Sequence, residues 1–98
     1  MTWGIRAAFV NMRTHLRRDE RAQRPTTVSR EIGRWAPPTE NDTRAYIKAV
    51  CRMGMLRPDE QLDWQDKSQM CRLLWAMAHH ECGTTLRLQL FEAAYDMV

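Results

Sequence analysis

The densest group of chemically versatile side chains lies at the end of a strongly patterned apolar segment. His79, His80, Glu81 and Cys82 follow one another there, and Cys71 lies upstream. On a single helix, Cys71 and Cys82 would be roughly 16 Å apart at about 1.5 Å per residue, so they cannot share a metal ion. No C-x-x-C or H-E-x-x-H spacing accompanies these residues. We therefore expect neither a metal site nor a cofactor.

Glu81 is the candidate catalytic residue. It lies four residues after Met77 and three after Ala78, so its carboxylate continues the apolar face of the predicted helix. A carboxylate that points towards a core is costly unless it is paired or hydrogen-bonded. In a structural interpretation, Glu81 accepts bonds from the amides of another helix or pairs with an arginine. In a functional one, it acts as a general acid with a perturbed pKa. Since the sequence places no second carboxylate beside it, we favour the structural interpretation.

A second candidate site surrounds a tryptophan that is followed by two prolines. Core packing is the commonest use of a tryptophan, but an indole beside prolines and carboxylates also suits a sugar ring. The predicted binding residues are Trp35, Pro37, Pro38, Glu40, Asn41, Asp42 and Tyr46.

Basic side chains are concentrated in the first half of the chain. Residues 1–48 hold ten basic and five acidic side chains, whereas residues 49–98 hold five and seven. If the first helix continues far enough, one of its faces carries a stripe that suits phosphates. No aromatic side chain is interleaved with this stripe, so we favour a solvated face and keep nucleic-acid binding as an alternative. The basic patch consists of Arg13, Arg17, Arg18, Arg21 and Arg24.

Five helices, or four and a short turn, are predicted to position these residues. Apolar residues at three- and four-residue steps indicate a first helix over residues 4–18, and the polar residues 19–25 indicate a loop or a frayed helix end. A short second helix starts at Thr26 or Thr27 and ends at the double proline.

The caps of the remaining helices follow from short polar residues and glycines. Asn41 or Asp42 caps the third helix, and Gly54 ends it in a left-handed conformation. Residues 55–64 form a connector. In the fourth helix, Asp66 and Gln69 approximate a capping box, and Gly83 is the stop. The last helix starts at Thr84 or Thr85.

The fold class follows from these elements. No period-two alternation indicates a strand, so we predict an all-α, small single-core bundle of four to five helices that forms one domain, residues 1–98. No apolar run approaches the ~20 residues that span a bilayer, and we expect no membrane partner. The three cysteines are predicted to be free thiols. Seven methionines and four tryptophans indicate exposed apolar surface, which favours a homo-oligomer.

Two segments carry a resemblance to a known family. Trp35-Ala36-Pro37-Pro38-Thr39-Glu40-Asn41-Asp42-Thr43 with Tyr46-Ile47, and Ala76-Met77-Ala78-His79-His80-Glu81-Cys82-Gly83, resemble a bacteriophage and prophage structural (virion) protein family. That family carries a W-A-P-P-x-E-N-D-T-x-x-Y-I core and a helix that ends in H-E-x-G. Its usual N-N-P-G-N-I-R segment is not found in this sequence. Cys82 replaces a frequent asparagine, and Trp64 replaces a small apolar residue.

The resemblance implies a virion protein, located in the virion or in the bacterial cytoplasm when expressed from a prophage. Its partners would be other virion proteins or peptidoglycan. Since members of the family are suspected of a lysozyme-like role at the cell wall, the bundle is also expected to be a lysozyme-like remnant. We predict a non-catalytic structural or interaction protein. The alternatives are a peptidoglycan-cleaving, lysozyme-like enzyme with Glu81 as acid and a small basic nucleic-acid-binding protein.

Overall fold

The computed structural model describes residues 4–36 and 42–98, and these residues form five helices. The helices are α1 (Ile5–Arg21), α2 (Val28–Trp35), α3 (Thr43–Gly54), α4 (Lys67–Cys82) and α5 (Leu88–Asp96). Among the described residues there is no strand, and one isolated antiparallel bridge joins Thr27 to Gln61. The predicted all-α bundle is therefore confirmed, while its lysozyme-like character stays a prediction.

The central element of the bundle is α4, which packs against α1, α3 and α5, while α2 packs against α3. Helix α4 presents apolar side chains to these neighbours, because its buried residues recur at three- and four-residue steps. The core is a single cluster in which each helix contributes at least one fully buried side chain; examples are Phe9, Met12, Val28, Ile32, Val50, Leu73, Leu74, Met77 and Phe91.

Three short polar side chains begin helices as predicted. Thr27 Oγ1 accepts a bond from the amide of Arg30 at 3.2 Å, and Asp42 Oδ1 accepts one from Ala45 at 3.1 Å. Asp66 Oδ1 accepts the amide of Gln69 at 3.0 Å. Each bond satisfies an amide that the first turn of a helix leaves without an intrahelical partner. The structure thus assigns the cap of α2 to Thr27 and that of α3 to Asp42.

The end of α3 differs from the prediction. Gly54 is still helical, and Met55 adopts the left-handed conformation with φ of 56°. A Cβ atom at Gly54 would lie 3.1 Å from the backbone oxygen of Arg72, so a glycine lets α3 and α4 approach closely. The Arg72 guanidinium then donates to the carbonyls of Gly54 and Met55, at 2.8 and 3.0 Å, and caps α3. Gly83, by contrast, is left-handed (φ 71°) as predicted.

The last helix begins at Leu88, so the start predicted at Thr84 or Thr85 is wrong. The intervening residues fasten the chain to α4 instead. The Trp75 indole donates to the carbonyl of Leu86 at 2.7 Å, and the Thr85 hydroxyl lies 3.0 Å from His79 Nδ1. The Thr85 hydroxyl and the Leu86 carbonyl are therefore bonded to α4 and do not take part in starting a helix.

Gln69 does not close the predicted capping box. Its side-chain oxygen accepts the amide of Asp63 at 2.9 Å, and its amide group donates to Glu60 Oε2 and to the carbonyl of Gln61. Because Gln69 is itself buried, these three bonds hold the connector between α3 and α4 against the core.

The cysteines are free, with Cys51 and Cys71 buried and Cys82 exposed. Burial raises the pKa of the Cys71 thiol to about 11, which makes the thiolate scarce at neutral pH. In the part of the chain that the structure describes, no helix is both long and apolar enough to cross a membrane.

Candidate functional site

Glu81 meets the first turn of α3 through a tyrosine. The Tyr46 hydroxyl donates a hydrogen bond to Glu81 Oε1 at 2.9 Å, and the Tyr46 ring lies 4.1 Å from the His80 ring, centre to centre. Tyr46 is buried, and Glu81 is half-buried. The partner of the carboxylate is thus neither a helix amide nor an arginine. Burial, reinforced by the bond to Glu81, raises the pKa of Tyr46 above its usual range, so the hydroxyl keeps its proton.

Only some of the predicted binding residues around Trp35 belong to the part of the chain that the structure describes. Trp35 is half-buried, and its indole nitrogen donates to Glu31 Oε2 at 2.7 Å. Asp42 caps α3, and the Thr43 hydroxyl donates to the carbonyl of Ala36 at 2.6 Å, which links the end of α2 to the start of α3. Pro37, Pro38, Glu40 and Asn41 lie outside the described residues.

The structure contains two fully buried carboxylates that the sequence analysis missed, and the first is Asp19 on α1. Arg34 Nη2 donates to both of its oxygens, at 2.6 and 2.8 Å. The Thr26 hydroxyl donates at 2.5 Å, and Arg24 Nε at 3.0 Å. Arg30 Nε lies 3.4 Å from Oδ2.

The second buried carboxylate, Glu31 on α2, belongs to the same network. His15 Nδ1 lies 2.7 Å from its Oε2, the oxygen that also accepts the Trp35 indole, and Arg34 Nη1 donates to Oε1 at 3.2 Å. Arg34 therefore bridges both carboxylates. We call Asp19, Glu31, Arg34, His15 and Thr26 the buried charge cluster.

The electrostatics of the buried charge cluster suit a structural role. Burial by itself disfavours the charged form of Asp19, but the hydrogen bonds from Arg34, Thr26 and Arg24 outweigh it and hold the pKa of Asp19 well below its usual range. The same contact with Asp19 raises the pKa of Arg34. Every carboxylate oxygen in the cluster has a donor, so no lone acceptor is aimed at a substrate.

A sequence signal for these two carboxylates did exist. Asp19 follows Met12 and Leu16 at four- and three-residue steps, and Glu31 lies between Val28 and Trp35 at the same steps. This is the pattern that singled out Glu81. At Asp19 the pattern is obscured because residues 19–25 are predicted to be a loop or a frayed helix end, whereas α1 continues to Arg21. Glu31 lies inside the predicted second helix, where its position on the apolar stripe already marks it.

The longer α1 determines where the predicted basic patch lies. Arg13, Arg17 and Arg21 recur at four-residue steps on its outward side, and Arg18 is exposed beside them. Arg24 lies beyond the helix and pairs with Asp19. The sequence shows no aromatic side chain interleaved with this patch, but the tertiary structure brings one beside it. The Arg13 guanidinium lies 5.8 Å from the centre of the Trp64 ring.

An open groove of about 870 Å³ lies between the end of α1 and the turn that precedes α4. Leu16, Leu62 and Trp64 supply its apolar surface, and charged and amide side chains surround them. The polar lining residues include Arg17, Glu20, Gln23, Arg24, Gln61, Asp63 and Gln65.

Comparisons with protein-family models, with curated proteins and with solved structures give no match. The similarity to the virion family therefore stays a prediction. Within residues 4–36 and 42–98, no three histidine, cysteine or acidic side chains are grouped so that they could hold a metal ion.

Proposed function

We propose that the chain is a non-catalytic structural or interaction module of a bacteriophage or prophage virion. Its partners are other virion proteins or peptidoglycan, and its location is the virion, or the bacterial cytoplasm when a prophage expresses it. The proposed contact surface combines residues of the segment from Trp35 to Asp42 with the end of α4 around Glu81.

The observation that carries this proposal is the Tyr46–Glu81 hydrogen bond. Tyr46 belongs to the first of the two segments that resemble the virion family, and Glu81 belongs to the second. The bond ties the start of α3 to the end of α4, and His80 packs on the same tyrosine ring. The most distinctive residues of the resemblance therefore have a conformational use, which favours an interaction module over an enzyme.

Association with particles tests the virion assignment. The bacterium that encodes the chain is induced to lyse, particles are purified on a density gradient, and the chain is located with an antibody. We expect it to migrate with the capsid protein and to stay there after a high-salt wash. Recovery only at the top of the gradient, free of particles, would overturn the assignment.

A wall-clearing assay tests the absence of catalysis. Purified parent protein is added to suspended cell walls, beside Glu81→Gln and the matched variant Tyr46→Phe. Tyr46→Phe removes the hydrogen bond and retains the carboxylate, whereas Glu81→Gln removes the carboxylate and retains an oxygen that can accept the bond. We expect no clearing by any of the three. Clearing by the parent and by Tyr46→Phe, together with loss in Glu81→Gln, would make Glu81 catalytic and the proposal wrong.

A further inference from the structure

The outward face of α1 is a strongly basic surface. Five arginines project from this helix, and its one exposed acidic residue is Glu20, because Asp19 points into the core. These six side chains carry a net charge of +4, whereas the whole chain carries +3. The arginines are Arg6, Arg13, Arg17, Arg18 and Arg21.

These arginines differ from the three that surround the buried carboxylate of Asp19. Arg24, Arg30 and Arg34 all pair with Asp19. Among the described residues, no ion pair involves any arginine of α1. Arg6, Arg17, Arg18 and Arg21 are exposed and therefore available to an external partner, whereas Arg13 is half-buried with its guanidinium 5.8 Å from the centre of the Trp64 ring.

The geometry of this face fits a linear polyanion. Arg13, Arg17 and Arg21 are four residues apart, a rise of about 6 Å per step, and Arg6 lies two turns before Arg13. A planar guanidinium donates to phosphate oxygens through two parallel bonds. Phe9 and Met12 on the apolar side of α1 are buried, and Val10 is its single exposed large apolar side chain, so the helix offers no continuous apolar face to a lipid layer.

The groove beside α1 adds an aromatic surface to the row of charges. Trp64 lines it and is half-buried, held from behind by Tyr95 and Phe9 at 4.9 and 6.1 Å between ring centres. Glu20 and Asp63 also line the groove, and Arg24 already pairs with Asp19, so the groove itself attracts a phosphate less than the outward arginines of α1 do. An indole with amide and carboxylate groups around it suits an unpaired base, which stacks on the ring and donates from its amino groups.

We propose that α1 and the Trp64 groove bind single-stranded nucleic acid. The phosphates lie along the outward arginines, and one base stacks on Trp64. This activity is separate from the proposed virion role.

Fluorescence anisotropy with a labelled oligodeoxycytidylate of about 20 nucleotides, whose bases carry the amino groups that the groove would accept from, tests the proposal. Affinity is measured between about 50 and 200 mM salt for the parent and for Arg17→Ala/Arg21→Ala. We expect the double variant to bind about tenfold more weakly at low salt. The slope of log affinity against log salt should become shallower by about 1.4, because two phosphate contacts are lost at about 0.7 each. The matched control is Arg44→Ala/Lys48→Ala, which removes two exposed charges from α3 and should leave binding unchanged.

Two further measurements test the aromatic part. A duplex of the same length should bind several-fold more weakly than the single strand, since its bases are unavailable for stacking. Trp64→Leu should weaken single-strand binding about tenfold, with its helix content checked by circular dichroism. The proposal is overturned if Arg17→Ala/Arg21→Ala and Arg44→Ala/Lys48→Ala bind alike, or if the duplex and the single strand bind equally. Equal, equally salt-sensitive binding to vesicles of anionic lipid would also overturn it.

Discussion

Asp19 and Glu31 are carboxylates without solvent contact in a chain of 98 residues, and their donors explain why the fold tolerates them. A buried charge costs several kcal/mol unless its hydrogen-bonding capacity is met. Arg34 meets part of it for both residues, and Thr26, His15 and Trp35 supply other donors. The cluster is therefore stable as a unit and vulnerable to loss of any single partner.

Acid should weaken the protein through Asp19. Its pKa is lowered in the folded state, so its carboxylate stabilises the fold fully above the unfolded pKa of about 3.9. That contribution is lost progressively as the pH falls below about 4 towards the lower folded pKa. Asp19→Asn should reduce stability at neutral pH and flatten the loss of stability below about pH 4.

Urea unfolding at several pH values measures this effect. Asp59→Asn is the matched control, since Asp59 is exposed in the connector. A parent and an Asp19→Asn variant with parallel acid limbs would contradict the role assigned to Asp19.

At the level of the helices, the close approach of two backbones explains Gly54, which the sequence predicts to be the left-handed stop of α3. Gly54 lies where α3 meets α4, and its missing Cβ makes room for the Arg72 carbonyl and the Leu56 side chain. The left-handed conformation falls one residue later, on the exposed Met55. Local backbone bonds to the Cys51 carbonyl and the guanidinium of Arg72 from the neighbouring helix thus share the C-terminal capping of α3.

Two glycine-to-alanine substitutions should therefore have opposite effects. In Gly33→Ala, the new Cβ has nothing within 4 Å, so the better helix propensity of alanine should stabilise α2 by up to about 1 kcal/mol. In Gly54→Ala, the Cβ would meet a backbone oxygen at 3.1 Å, and the resulting shift of α3 should cost about 1–2 kcal/mol. Thermal unfolding followed by circular dichroism gives both signs. A Gly54→Ala variant as stable as the parent would show that the two helices separate easily.

For the whole molecule, the buried charge cluster connects two elements that otherwise meet little. Helix α1 packs on α5 and α4, and α2 packs on α3, whereas α1 and α2 have few close backbone approaches to each other. Their connection runs instead through His15 and Asp19 on one side and Glu31 and Arg34 on the other. We expect this connection to make the unfolding of α1 and α2 cooperative with the rest of the core.

Arg34→Ala should expose that dependence. It leaves both buried carboxylates short of a donor, at a cost of about 3 kcal/mol. This is a large share of the roughly 5–15 kcal/mol by which a domain is stable. Hydrogen exchange should show early loss of protection in α1 and α2, and the urea midpoint should fall. Arg57→Ala, at an exposed site, should leave both unchanged. An Arg34→Ala variant with native protection would mean that apolar packing alone holds α1 and α2.

Self-association stays a prediction. Three methionines, Met12, Met70 and Met77, are fully buried, whereas Met55 and Met97 are exposed together with Val10 and Leu90.

Local rules in the sequence were sufficient for the helices, their apolar faces and most of their caps. Thr27, Asp42 and Asp66 cap helices because a short side-chain oxygen reaches a free amide within the same turn, whatever surrounds it. Gly83 ends α4 for a similarly local reason. The absence of strands from the described residues also follows from periodicity alone.

Tertiary contacts decided everything that depends on a partner distant in sequence. Glu81 pairs with a tyrosine 35 residues away, and Asp19 with an arginine 15 residues away. Trp64 lies beside an arginine of α1 through packing that no pattern in the chain indicates. A polar residue on an apolar stripe indicates that its side chain needs a hydrogen-bonding or charged partner. Which partner it finds depends on how the helices pack, because hydrogen bonds and ring contacts form only within a few ångströms.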